Sequence, residues 1–177
     1  MSHDDPQPFM GPLISRQAAD RVLAVQVSLI ASGGVALTQS QRCSDNHALI
    51  RPGVIDVTEI VDREDEEVFG PLLQVIRVPS FEAALIEANR TAYGLSASLL
   101  SDDSDAFVRF RNSVRAGVIN WNQATVGASG RLPFGGLGAS GNHRPSGYFA
   151  ADYCSDAAAV LESESLSMPS TIMPGIS

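Results

Sequence analysis

The chain has 177 residues, 44% hydrophobic and 18% charged, with 12 Lys and Arg against 20 Asp and Glu and a net charge of −8. That length suggests one domain, and this balance of apolar and charged residues argues for a packed core rather than disorder. The acidic excess and the lack of a Lys/Arg cluster exclude a nucleic-acid binder, which needs a basic face to displace counterions from phosphates, and argue against an anionic membrane surface.

In chain order, residues 1–10 carry Asp4, Asp5, Pro6 and Pro8 and read as neither a secretory signal nor a transit peptide. Ser15 N-caps a helix over 16–32, which Gly33 and Gly34 stop; Ala19, Val22, Leu23, Val27 and Ile30 recur at helical spacing. Its apolar stretch is broken by Gln26 and Ser28 and falls short of the roughly 20 residues that span a bilayer. A strand over 35–38, a polar loop over 39–46 and strand character over 47–57, interrupted by Pro52-Gly53, follow. The acidic run 64–67 leads into the turn Phe69-Gly70-Pro71 and then a buried strand over 72–78. A helix over 81–89 capped by Ser80, a strand over 96–100, a helix capped within 101–104 and ending near 115–117, and a strand over 117–120 come next. Residues 125–147 read as glycine-rich loop, and 157–162 as a last strand before a Ser/Pro-rich tail. This alternation predicts an α/β fold with a largely parallel sheet.

The residue types narrow the chemistry. Cys43 and Cys154 form no C-x-x-C pair, so reduced thiols and a cytoplasmic setting are the expectation. Cys43 and His47 supply two ligands, too few for a zinc site, and no metal is expected. Runs such as Glu64-Asp65-Glu66-Glu67 are usually solvated, but here Phe69-Gly70-Pro71 follows at once, and a carboxylate and an aromatic two residues apart can face one ligand. The clusters 127–130 and 134–141 can expose successive N–H groups to an anion. Neither is a phosphate-binding loop of the Gly-Lys-Ser/Thr kind, and Gly136-x-Gly138-x-x-Gly141 opens no helix of the dinucleotide-binding type.

Four segments in this order resemble the C-terminal stretch of the aldehyde dehydrogenase superfamily: Glu66-Glu67-Val68-Phe69-Gly70-Pro71, Asn89-Arg90-Thr91-Ala92-Tyr93-Gly94-Leu95, Ala116-Gly117-Val118-Ile119-Asn120 and Pro133-Phe134-Gly135-Gly136-Leu137-Gly138-Ala139-Ser140-Gly141. The likeness runs over about 9–165. A narrower likeness, in 8–15, 120–122, 138–146 and 150–154, is to the branch that oxidises a succinylated glutamate semialdehyde in arginine catabolism.

The resemblance implies a partial catalytic domain over 1–150, an oligomerisation strand over 151–168 and a tail over 169–177. It implies that Glu67 hydrogen-bonds the nicotinamide ribose of NAD or NADP, that Phe69 packs near the nicotinamide, and that Phe134 lines the aldehyde tunnel. Gly127, Ala128 and Ser129 would anchor a substrate carboxylate, with Arg131, His143 and Arg144 as counter-charges. The full-length enzyme would be a homo-oligomer acting on a small aldehyde. Family order puts the nucleophilic cysteine, the glutamate base and the dinucleotide domain before the segment matching Phe9 to Ser15. No catalytic residue is therefore assigned here, and this chain alone is expected to be inactive and to hold no cofactor. Gln41-Arg42-Cys43 resembles the sequence around the family nucleophile, but it follows the first long helix and reads as coincidence. The alternative is a non-catalytic binding or assembly partner of a full-length relative.

Overall fold

The computed structural model describes residues 10–43, 46–126, 129–141, 146–167, 171 and 174–175, with only the backbone of Asn46 and His47. Helix α1 (Arg16–Ala31) begins where Ser15, in extended backbone, accepts the N–H of Ala18 on its hydroxyl. Gly33 and Gly34 then turn the chain by donating to Ile30 and Leu29 carbonyls. Beyond lie β1 (Val35–Thr38), β2 (Arg42–Cys43), β3 (Asn46–Ile50), β4 (Gly53–Asp56) and β5 (Leu72–Val75). Next come α2 (Phe81–Ala88), β6 (Ser96–Leu99), α3 (Ser104–Ser113) and β7 (Val118–Trp121). The chain continues through β8 (Pro133–Phe134), a 3-10 turn (Gly138–Ser140), β9 (Ser146–Gly147) and α4 (Ala150–Tyr153).

The architecture is α/β, with mixed pairing. The sheet β1-β4-β5 joins one antiparallel and one parallel pair, β6 and β7 run parallel, and β2-β3 and β8-β9 are short antiparallel pairs. The polar loop expected over 39–46 contains β2, because residues 42–43 pair back onto β3. The glycine-rich stretch likewise carries β8 and β9, which polarity alone hid. Residues 157–162, expected as a last strand, form none and stay exposed. A strand needs a neighbouring edge, and among the described residues nothing supplies one.

Helix α1 lies over β3 and β4 and buries Ala19, Val22 and Gln26 on one stripe. Ala19, Val22 and Ile50 form one core cluster; Ile55, Val57 and Ile60 form another, and Leu72 packs against both. Strand β5 is not buried on both sides as expected: Leu73 is 61% exposed, and Val35 and Leu37 of β1 are also exposed.

Asp103 caps α3 by accepting the N–H groups of Asp105 and Ala106. Trp121, at the end of β7, stacks on Phe107 with ring centroids 4.8 Å apart and donates its indole N–H to the Ser101 carbonyl. The two strands and α3 thus form a strand–helix–strand unit.

Gln26, read in the sequence as an interruption, is a structural bond. Buried in α1, its amide donates to the Ser40 carbonyl and accepts the Ser40 N–H at 2.6 Å, while the Ser40 hydroxyl donates to the Arg51 carbonyl. Gln26→Leu would leave both Ser40 backbone groups unpaired in a dry site, so urea denaturation should show a loss of about 1–3 kcal/mol.

Candidate functional site

The acidic run 64–67 forms a ridge between two clefts. The first, about 730 Å³, lies between the ridge and α1 and is lined by Arg21, Val25, Glu67, Phe69 and Tyr93 among others. The second, about 560 Å³, lies between the ridge and the end of α2, with Glu67, Glu87, Arg90, Tyr93 and Arg115 on its walls. Glu67 and Tyr93 border both.

Three anchors fix the ridge. Glu66 pairs with Arg21 of α1. Asp65 accepts the Thr91 hydroxyl and the Ala92 N–H, each at 2.6 Å. At the ridge's end the Gly70 N–H donates to the Val68 carbonyl at 2.8 Å, a three-residue turn with Phe69 at its tip, 78% exposed. Gly70 is required there because a Cβ would collide with Cγ2 of Val22, which is 1% exposed and stiff at χ1.

The carboxylates of the run therefore divide by role. Asp65 and Glu66 are engaged, whereas Glu64 and Glu67 bond no side chain or backbone group among the described residues. The Ala92 N–H, then the Thr91 hydroxyl, hold the Asp65 carboxyl below the usual range. A depressed carboxyl stabilises the fold fully above its ordinary value near 4 and loses that contribution as pH falls through the depressed one. The tether is thus intact at neutral pH.

This donor set fits the nicotinamide end of a dinucleotide. A free carboxylate can accept both hydroxyl protons of a ribose. An exposed aromatic two residues on can cover a flat heteroaromatic ring. Arg63, beside Glu64, is not available to an anion, since it donates to the Ile60 carbonyl and pairs with Glu87.

Of the residues expected on the substrate side, three are described. Gly127, Ala128, His143 and Arg144 lie outside the described residues. Ser129 accepts the Arg131 N–H on its hydroxyl and the Leu132 N–H on its carbonyl, organising a turn on which Arg131 is exposed. Phe134, 38% exposed, sits in β8, whose carbonyl accepts the Ser146 hydroxyl. None of these three lines either cleft. Cys43 also lies away from both, in β2. Among the described residues no group of three His, Cys, Asp or Glu side chains could hold a metal.

Two residues of the site escaped sequence reasoning. Asp65 looked like one member of a solvated run, and Tyr93 carried no role beyond its place in the family-like segment 89–95. The signal available was the Thr91 hydroxyl, short and β-branched, in the turn after α2, but its partner is 26 positions away.

Gly70→Ala should cost about 1–3 kcal/mol in thermal or urea denaturation, because the core must yield to an added methyl. The cost of Val22→Ala should then be smaller in the Gly70→Ala background than in the native chain, since it removes the colliding group.

Known proteins resemble this chain over most of its length. The profile of the aldehyde dehydrogenase family matches residues 1–160. The chain is 51% identical over 173 residues to the N-succinylglutamate 5-semialdehyde dehydrogenase of Hahella chejuensis, covering 98% of this chain and 35% of that protein. It is 50% identical, over the same span, to the enzyme of that name from Ectopseudomonas mendocina, covering 36% of it. The chain thus spans about a third of the length of the curated relatives it matches. Among solved structures, aldehyde dehydrogenase 21 of Physcomitrella patens, in complex with the reaction product succinate, superposes with a TM-score of 0.74 at 29% identity, over 84% of this chain and 30% of that one. The succinate-semialdehyde dehydrogenase of Burkholderia pseudomallei gives 0.74 at 29% identity over 84% of this chain and 31% of its own. The chain belongs to the aldehyde dehydrogenase family.

Proposed function

We propose that this chain forms the nicotinamide-side wall and the aldehyde tunnel of an NAD(P)-dependent dehydrogenase that oxidises N-succinylglutamate 5-semialdehyde to N-succinylglutamate. The observation that carries this reading is the division of labour on the ridge: Glu67 bonds no group among the described residues while its neighbours Asp65 and Glu66 hold the segment still. That the half-identical relatives are N-succinylglutamate 5-semialdehyde dehydrogenases supports the choice of substrate. A glyceraldehyde-3-phosphate dehydrogenase complexed with NADP and an aldehyde dehydrogenase complexed with NAD+ are among the structural neighbours.

A bound nicotinamide would supply the hydride acceptor that oxidation of an aldehyde requires. The part of this chain is to bind and orient. Glu67 accepts the nicotinamide ribose hydroxyls, and Phe69 shields one side of the ring from water. Phe134 lines the tunnel for the aldehyde arm. The substrate carries two carboxylates remote from its aldehyde. Backbone N–H groups at Gly127, Ala128 and Ser129, with Arg131, His143 and Arg144, are the groups of this chain suited to neutralise them. The assembled enzyme would be a cytoplasmic homo-oligomer, with the segment after α4 pairing as a strand across subunits; the expected span 151–168 is shortened because residues 151–153 are helical. In the family the nucleophilic cysteine, the base and the pyrophosphate site precede the segment that matches Phe9 to Ser15.

Energetics set what the 177-residue chain can do by itself. Charge-assisted hydrogen bonds from Glu67 are worth roughly 1.5–3 kcal/mol, below the roughly 4.1 kcal/mol that even millimolar binding requires. Calorimetric titration of the chain with NAD should therefore show a Kd weaker than about 1 mM and no aldehyde turnover; micromolar binding would overturn the assignment of the pyrophosphate site to other sequence. The positive test is a chimera in which the N-terminal two thirds of the Hahella chejuensis relative precede this chain. It should oxidise N-succinylglutamate 5-semialdehyde in preference to unsuccinylated aldehydes. Glu67→Gln should lower its kcat/KM by roughly 10- to 100-fold. An active chimera indifferent to Glu67→Gln would refute the ribose contact, and one indifferent to the succinyl group would refute the substrate.

A further inference from the structure

Between the ridge and the turn that follows Phe134 runs a continuous set of hydrogen bonds, and Asp65 is where it begins. Each oxygen of the Asp65 carboxylate takes one donor, Oδ1 from the Thr91 hydroxyl and Oδ2 from the Ala92 N–H. Thr91 Oγ1 in turn accepts the Tyr93 N–H, so the loop from Thr91 to Gly94 is gathered around the carboxylate. The far side of that loop holds the glycine-rich turn. The Ala92 carbonyl accepts the Ala139 N–H at 2.8 Å, the Gly94 carbonyl accepts the Leu137 N–H at 2.9 Å, and the Gly94 N–H donates to the Ser140 hydroxyl. Gly138, at φ +57°, lies so close to the Ala92 carbonyl that a Cβ would strike it. The turn is joined to Phe134 by Gly135 and Gly136 alone.

We infer that Asp65 is a positioning residue, whose carboxylate fixes the separation between the cofactor-facing ridge of Glu67 and Phe69 and the glycine-rich turn that follows Phe134. The inference rests on the reading of Glu67, Phe69 and Phe134 given above, because only then does their separation matter to a reaction. A loose tether would let the two partners of a hydride transfer drift, and catalysis is sensitive to misplacement of about 1 Å. The choice of aspartate follows from the donors. Two donors converge on one side chain; an asparagine that kept its oxygen on the Ala92 N–H could only donate to Thr91 Oγ1, which already accepts the Tyr93 N–H, and it would lose the charge that strengthens both bonds. The charged groups around the tether are Glu64, Glu66, Glu67 and Arg63 on the ridge, Glu87 and Arg90 at the end of α2, and Arg115 before β7. Arg63 is bound to Glu87 and Glu66 to Arg21, which leaves the carboxylate to its two hydrogen-bond donors.

The experiment is amide hydrogen exchange on the whole 177-residue chain, read residue by residue in the native protein and in Asp65→Asn, Asp65→Glu, Thr91→Val and Glu67→Gln. In Asp65→Asn the Ala92 amide should exchange about tenfold faster or more. Gly94, Leu137, Ala139 and the ridge amide of Gly70 should lose protection with it, while the Ser40 amide bound to Gln26 and the amides inside α1 keep theirs. Thr91→Val should give the same pattern at smaller size, and Asp65→Glu, which retains a charged acceptor, should recover part of the protection. Loss confined to Ala92 would overturn the inference, because the tether would then reach no further than its own bond. Loss spread equally through α1, or failure of both Asp65→Asn and Thr91→Val to fold, would overturn it as well by making the contact a general prop. Glu67→Gln should keep the native exchange pattern throughout. The ribose contact and the tether can therefore fail separately.

Discussion

The side chain of Val22 and the backbone of Gly70 meet with no room for a methyl group between them, and the placement of the site follows from that contact. The stripe of α1 that carries Val22 is buried against β3 and β4, so the helix cannot move without opening the core. Gly70 ends the turn that exposes Phe69, and Val68 packs into the same cluster as Val22. An aromatic ring left largely in water would ordinarily be disfavoured by roughly 1.5–3 kcal/mol relative to burial. Here the backbone on either side of it is pinned, so the ring is presented rather than folded away.

Charge completes what packing begins. The ridge places four carboxylates in succession, and their mutual repulsion would loosen an isolated segment. Arg21, from a helix, and the Thr91–Ala92 turn, from the other side, each take one of them. The Arg21–Glu66 pair is exposed on both sides and adds little to stability alone. Its weight lies in direction, because with Asp65 drawn to one side and Glu66 to the other, Glu67 is left unclaimed at the rim shared by both clefts.

Much of this was legible in the sequence wherever the determinant was local. Ser15, Ser80 and Asp103 each bond an amide two or three residues on, and helices α1, α2 and α3 begin where those letters fall. The turn at Phe69-Gly70-Pro71 was legible for the same reason. What escaped depends on partners far along the chain. Gln26 resembles a blemish in an apolar helix until Ser40 arrives 14 residues later, and Asp65 resembles solvated charge until Thr91 does. The short pairs β2-β3 and β8-β9 are held by backbone groups, which every residue has, so side-chain patterning carries no trace of them. Strand β5 was read as buried because its letters are apolar, yet Leu73 is largely exposed.

The indole of Trp121 lies against Phe107 and reaches Ser101, all within the unit formed by β6, α3 and β7. It is the only tryptophan in the chain. Tryptophan emission from this protein is therefore a local gauge: it registers how that unit is packed and does not report directly on the acidic ridge, beside which Tyr93 stands. A denaturation curve followed by fluorescence and one followed by far-ultraviolet dichroism would sample different territory, and any offset between their midpoints would measure how independently the two ends of the molecule come apart.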